Sequence, residues 1–363
     1  MPLLVALLLL PGLVAAALAA PAAAQGPHSP QVLPQLEPWG ANSVRIRWSA
    51  PGGGSAASWG PFLDAALSHS AVSRGAGWLV HGNLRVTAGA DGLVRASRES
   101  DGAVLLQQTG LGWGAAVGRG RWPSAQVELR GVGADETLVG MGQQKEGRVA
   151  LERPFVRRFT DSECYGYNQG RQALLPLWFS SRGYGVMWAV SGYGSLRLDE
   201  AGVVLNASSA AAVELWVSTT PGDAVFAAGS PHPLRALLSQ YADAVGRAPL
   251  MPRFAAGFIA SKDRYRNRTQ LLAVARGYAS RGIPLAVLTV DWFHWEHLGD
   301  MSLSRACWPD AAGMVAELRA MGVELMVSHW PYVSRESVLR AAFERAGALA
   351  TNASSGRAVT FWA

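Results

Sequence analysis

The period of the apolar residues changes once along this chain, between Pro221 and Pro252, and that change limits the fold more than any other feature. From 43 to 218 the apolar residues come in short runs: Val44, Ile46 and Trp48, then 78–86, 125–132, 174–180, 185–190 and 212–217, each closed by Gly, Pro, Asp or Ser. Side chains on a strand alternate between faces, so many short runs separated by turn residues predict an antiparallel β-sandwich. Gly52-Gly53-Gly54-Ser55 reads as a surface loop and not a phosphate cradle, because no helical pattern with Lys-Ser/Thr follows it.

Past Pro221 the spacing turns helical, with Leu234, Leu237, Leu238, Tyr241 and Val245 on one face, until Pro249 and Pro252 break it. Strand and helix patterns then alternate: strands at 255–260, 285–290 and 323–328, helices at 269–281, 311–321 and 336–346. Three successive β-α units with apolar strands predict a parallel sheet covered on both faces. The expected class is a two-domain α+β chain, a β-sandwich over 30–245 followed by an incomplete (β/α)8 (TIM) barrel over 250–363. A full barrel takes about 250 residues, so the barrel is expected to be only partly present.

Residues 3–20 form an apolar run ending in small residues, with A-x-A sites at 17–19 and 22–24, which reads as a secretory signal peptide over 1–24. No Lys or Arg follows Met1, so an uncleaved membrane anchor is the alternative. Secretion or residence in a secretory lumen would give meaning to the glycosylation triplets at Asn206, Asn267 and Asn352. The pI of 9.7 does not point to nucleic acid: Lys145 and Lys262 are the only lysines, and the arginines are scattered singly. With only Cys164 and Cys307, a disulfide-built scaffold and a Cys-rich zinc site are excluded.

In parallel β/α barrels the chemistry stands at the carboxyl ends of the strands, where the loops converge. Behind the first strand comes Ser261-Lys262-Asp263-Arg264-Tyr265-Arg266, either an ordinary charged loop or, through Lys262 and Tyr265, a pocket wall. Behind the second comes Asp291-Trp292-Phe293-His294-Trp295. A carboxylate accepts two sugar hydroxyls while aromatic rings cover the apolar C–H faces, so Asp291, Trp292 and Phe293 suit a pyranose. The structural alternative is that Asp291 caps the following loop or pairs with an Arg while the rings pack a core. A metal could use His294, His297 and Asp300, but their spacing falls in a loop. Behind the third strand, His329 and Trp330 stand beside Pro331 and Tyr332, either lining a pocket or serving structure.

Taken in order, these motifs resemble glycoside hydrolase family 31. The likeness is carried by Gly257-Phe258-Ile259, Lys262-Asp263-Arg264-Tyr265, Gly282-Ile283-Pro284-Leu285 and Val290-Asp291-Trp292-Phe293, then by Trp308-Pro309-Asp310, Gly313-Met314-Val315, Met321-Gly322-Val323 and Pro331-Tyr332. Upstream, the stretches 136–143 and 175–185 resemble the family's motifs in a galactose-mutarotase-like sandwich, and Gln143-Gln144 leans towards its α-xylosidases. The resemblance implies a retaining enzyme on α-linked glucosides or xylosides, without metal or organic cofactor. Asp291 is implied as the carboxylate that binds sugar hydroxyls, and Phe293 as the aromatic beside it. The implied aspartate nucleophile and acid/base belong to later strands and have no counterpart before Ala363, so the fragment is expected to be inactive by itself. Cys307-Trp308 departs from the usual Arg-Phe at that place.

Asp291 and Glu296 as substitute catalysts would approach a sugar from one side, since they share a loop. Three rival readings are a sugar-binding protein that does not cut, a barrel glycosidase of another family, and a structural surface protein.

Overall fold

The computed structural model describes residues 33–51, 71–115, 122–130, 133, 135–142, 150–159, 175–189, 192–222, 233–352 and 355–359. The signal peptide, the Gly52–Gly54 loop, Gln143-Gln144 and Cys164 lie outside them. The chain forms two compact units, Met1–Arg247 and Ala248–Ala363.

The first unit holds two antiparallel sheets. The smaller contains, in spatial order, β1 (Gln35–Pro38), β2 (Ser43–Ser49), β15 (Ala212–Thr219), β12 (Tyr184–Trp188), β11 (Leu177–Ser180) and β9 (Leu138–Gly140). The larger has nine strands, from β10 (Phe155–Phe159) through β13 (Gly194–Asp199), β14 (Gly202–Ala207), β8 (Ser124–Arg130), β7 (Val104–Gly114), β6 (Val94–Arg98), β5 (Leu84–Ala88) and β4 (Trp78–His81) to β3 (Val72–Gly75). Alternation brings the sheets face to face. Val44, Ile46 and Trp48 of β2 and Val213, Leu215 and Val217 of β15 enter one core with Leu79, Val86, Val127, Leu129 and Leu205 of the larger sheet.

The intervening residues of β2 and β15 point the other way. Trp216 joins Leu177, Phe179 and Met187 under the helix α1 (Pro233–Val245), which contributes Leu237 and Ala244. Arg45 and Glu214 also lie on this face, paired across the strands through two hydrogen bonds of 2.9 and 3.0 Å, and both are buried.

Two motifs carrying the family resemblance turn out to be hydrogen-bonded neighbours. In the β9–β11 pairing Trp178 stands opposite Gly140. At Gly140 φ is +126° and a Cβ would come 2.4 Å from the Leu177 carbonyl oxygen, so only glycine fits this approach. The apolar stretch 78–86 is not one strand but the hairpin β4–β5, turned at Gly82 with φ +56°.

The second unit has a parallel sheet in the order β16 (Ile259–Ala260), β17 (Val287–Val290), β18 (Glu324–Val327). Ala260, Leu288, Val290 and Leu325 face α2 (Arg268–Ser280) and α3 (Ala311–Ala320), meeting Leu271, Leu272, Ala275, Met314 and Leu318. Each helix begins where a side chain satisfies a free amide: Asn267 Oδ1 accepts from Gln270 N–H, and Asp310 Oδ1 from Gly313 N–H.

Several expectations are corrected. The strand expected at 255–260 is only two residues long, because the chain leaves Pro252 in a 3-10 turn, Arg253–Ala256, with Gly257 N–H bonded to the Phe254 carbonyl. The helix expected at 336–346 is α4 (Arg340–Arg345), because Val338 N–H is drawn to Asp300 and Leu339 N–H to the Ser337 hydroxyl. The three strands are not equally covered on both faces. On the side away from the helices Val287 and Thr289 are buried, whereas the flanking Ile259 and Met326 are 40% and 45% exposed.

Candidate functional site

The site is built on β17, the one strand among the three buried along its whole length. A fully buried apolar strand cannot slip without exposing Val287, Leu288 and Val290, so the residue that follows it is held firmly. That residue is Asp291, partly buried. Its Oδ1 accepts from the Trp292 backbone N–H at 2.8 Å, the loop-capping role weighed from the sequence. Among the described residues no hydrogen bond reaches Oδ2.

The next four residues bring their rings together with those behind β18. Trp292 stacks on Trp330 at 5.5 Å and 15°, and on its other neighbour Phe293 at 4.5 Å and 29°. Trp295 lies 6.2 Å from Trp330, and Trp330 the same distance from Tyr332. Phe293 is 55% exposed and adopts φ +57°, a conformation bulky residues avoid. The β16 loop joins through Arg264, whose guanidinium lies 5.2 Å over the Phe293 ring. Arg264 was not singled out from the sequence, because nothing local distinguishes it from the neighbouring cations of its loop.

The other sequence candidates fall in different places. Lys262 is exposed, with Nζ 5.9 Å over the Tyr265 ring. Tyr265, expected as a pocket wall, is only 6% exposed and belongs to the helix-side core with Leu271 and Leu288. Burial and the nearby Tyr278 push its hydroxyl above the ordinary pKa. His329 is exposed, and its ring meets His294 edge-on at 5.4 Å. His294 itself is 1% exposed and is held by Nδ1 to the Asp291 carbonyl oxygen at 2.8 Å. Trp308, part of the departure from the usual Arg-Phe, fills the helix-side core, and the Cys307 carbonyl accepts Arg268 N–H at 3.0 Å.

Asp300 ties the two strand-end loops together. Its Oδ2 accepts from His297 N–H at 2.9 Å and its Oδ1 from Val338 N–H at 3.0 Å, across 38 residues. Within the trio His294, His297 and Asp300, the Asp300 carboxylate accepts backbone amides from His297 and Val338 and lies 3.5 Å from the His297 ring Nδ1, while His294 Nδ1 is bound to the Asp291 carbonyl. Glu296 is likewise engaged, accepting from the Ser304 hydroxyl at 2.5 Å.

Burial alone would raise the Asp300 carboxyl, but the bonds from His297, Ser337 and Val338 outweigh it and hold its pKa below the ordinary value. A carboxylate with a depressed folded pKa adds stability that is complete above its unfolded pKa and lost as pH falls through the folded one. Asp300→Asn is thus expected to lower stability at neutral pH and to flatten the acid limb below about pH 4. Urea melts at pH 3 to 7 check this; parallel curves for both proteins would refute it.

Residues 248–363 match the TIM-barrel domain of the glycosyl hydrolases family 31. An uncharacterized family 31 glucosidase of Pseudescherichia vulneris is 30% identical over 344 residues, 88% of this chain and 61% of that protein. Alpha-xylosidase A of Aspergillus niger is 32% identical over 216 residues, 59% of this chain and 27% of that one. A family 31 alpha-xylosidase from a soil metagenome, solved with xylose, superimposes with a TM-score of 0.68 at 26% identity, over 86% of this chain and 47% of its own. The chain thus spans between about a quarter and three fifths of these relatives' lengths.

Proposed function

Since residues 248–363 match the barrel domain of glycosyl hydrolases family 31, we propose that this chain is a member of that family and carries the sugar-holding side of a retaining glycosidase acting on α-linked xylosides or glucosides. The observation that carries the reading is Asp291 at the end of the buried β17, with Oδ2 unbonded among the described residues and the Trp292–Trp330 stack beside it. An ionised carboxylate accepts strongly from sugar hydroxyls, and the indole faces attract the polarised C–H groups of a pyranose. Retention requires two carboxyl groups about 5 to 5.5 Å apart, one to attack the anomeric carbon and one to protonate the leaving oxygen. In this reading neither is Asp291 or Glu296: the first holds hydroxyls and the second is committed to Ser304. The proposal assigns the two catalytic carboxyl groups to barrel strands other than β16, β17 and β18, so the loops behind these three strands are expected to bind sugar and not to cleave it.

Xylose is favoured over glucose on the likeness to two α-xylosidases. The test is titration with methyl α-xyloside and methyl α-glucoside, followed by tryptophan fluorescence, since three indoles border the site. Saturable quenching is the expected result; a flat titration with both sugars would remove the reading. Turnover of an aryl α-xyloside by these residues alone would instead refute the assignment of the two catalytic carboxyl groups to other strands.

The chain is further proposed to be secreted, on the strength of residues 1–24. Asn267 is exposed and uses only Oδ1 for its cap, leaving Nδ2 open to a glycan, whereas Asn206 Nδ2 donates to the Ser195 hydroxyl within the sheet. Expressed in a secreting eukaryotic host, the protein is expected to lose one glycan mass in Asn267→Gln. An unmodified Asn267 peptide would argue against it.

A further inference from the structure

His294 is buried deeper than any other polar group of the strand-end loops, and its surroundings explain only part of it. Nδ1 lies 2.8 Å from the Asp291 carbonyl oxygen, which accepts and cannot donate, so Nδ1 carries the hydrogen. The ring is clasped edge-on by Trp295 at 4.5 Å and His329 at 5.4 Å, and the His294 carbonyl accepts Ser304 N–H at 2.6 Å. Its Nε2 is buried with no hydrogen-bond partner among the described residues. A core-filling residue of this shape would be cheaper as Phe or Leu, since an unsatisfied buried polar atom costs about 1–3 kcal/mol. Something must therefore repay the imidazole, and the one polar bond it makes goes to the backbone of Asp291.

We propose that His294 is a positioning residue for sugar binding: its Nδ1–H fixes the Asp291 peptide so that Oδ1 is consumed by the Trp292 N–H and Oδ2 is left directed to the sugar. It acts through Asp291 and touches no substrate. The inference rests on the glycosidase reading for its sugar readout but not for its structural one. Burial holds the imidazole neutral, below its ordinary pKa, in keeping with a ring that donates from one nitrogen only.

Two variants separate the hydrogen bond from the packing. His294→Phe keeps the ring and loses the donor, whereas His294→Asn keeps an N–H near the Nδ1 position and loses the ring. On the full chain, amide hydrogen exchange at Trp292, whose N–H donates to Asp291 Oδ1, is expected to quicken at least tenfold in the Phe variant and to stay near wild type in the Asn variant. Methyl α-xyloside affinity is expected to follow the same order, with thermal melts confirming that both variants fold. The opposite order, Asn disturbed and Phe unaffected, would make His294 a packing residue and overturn the proposal, as would unchanged exchange in both. If wild type binds no sugar while the exchange pattern holds, the glycosidase reading fails and the positioning of Asp291 stands.

Discussion

Replacing Asp291 by Asn is expected to leave the chain folded and to weaken its hold on an α-xyloside about 2- to 30-fold. The asparagine still offers an oxygen to the Trp292 N–H, so the loop cap survives. What is lost is the charge on the oxygen that has no hydrogen-bond partner among the described residues. Hydrogen bonds to a charged group contribute about 1.5–3 kcal/mol, against about 1 kcal/mol for neutral ones, and each 1.4 kcal/mol is a factor of ten in affinity. Fluorescence titration of both proteins is the check. Equal affinity would remove Asp291 from the site, and a large fall in melting temperature would show that its cap, not its charge, is what matters.

The largest effect on stability is expected in the first unit, at Glu214→Ala. Arg45 is 5% exposed and Glu214 3%, and the two share both hydrogen bonds of a forked pair, with Arg47 approaching the same carboxylate at 3.4 Å. Deleting the acid leaves two cations beside an α1-covered sheet face, a loss of about 3–5 kcal/mol for a broken buried pair. Glu37, 3.4 Å from Arg45 and far more exposed, offsets only part of it. The pair is a matter of matching more than of net gain, so the double variant Arg45→Met with Glu214→Leu should recover most of the loss. Denaturant melts of the single and double variants decide this. A single variant within 1 kcal/mol of wild type would mean that water reaches the pair.

Much of this architecture is legible in the sequence wherever burial imposes a simple period. β2, β8 and β15 lie where Val44, Ile46 and Trp48, Ala125 and Val127, and Val213 and Leu215 alternate, because one face of each enters the inter-sheet core. α2 and α3 begin one residue after Asn267 and Asp310, whose capping chemistry is local. Features set by distant partners are not legible in this way. β7 runs eleven residues through Gly110 and Gly112, which look like punctuation, because its neighbours β6 and β8 supply the hydrogen bonds. The start of α4 is lost to Asp300, 38 residues upstream.

At the site, the strand-end position of Asp291 follows from the apolar run before it. The burial of Tyr265, the reach of Arg264 to Phe293 and the anchoring of His294 depend on which loops meet, and no spacing encodes that.

The left-handed backbone at Phe293 has a bearing on how this protein can diverge. Exposed positions ordinarily drift through most of the amino-acid alphabet, yet φ +57° makes every β-branched residue costly and leaves Gly, Asn and Asp as the relaxed replacements. Lineages descending from this chain are thus expected to keep an aromatic there or to jump to one of those three, with valine, isoleucine and threonine absent, even though the ring stands largely in solvent.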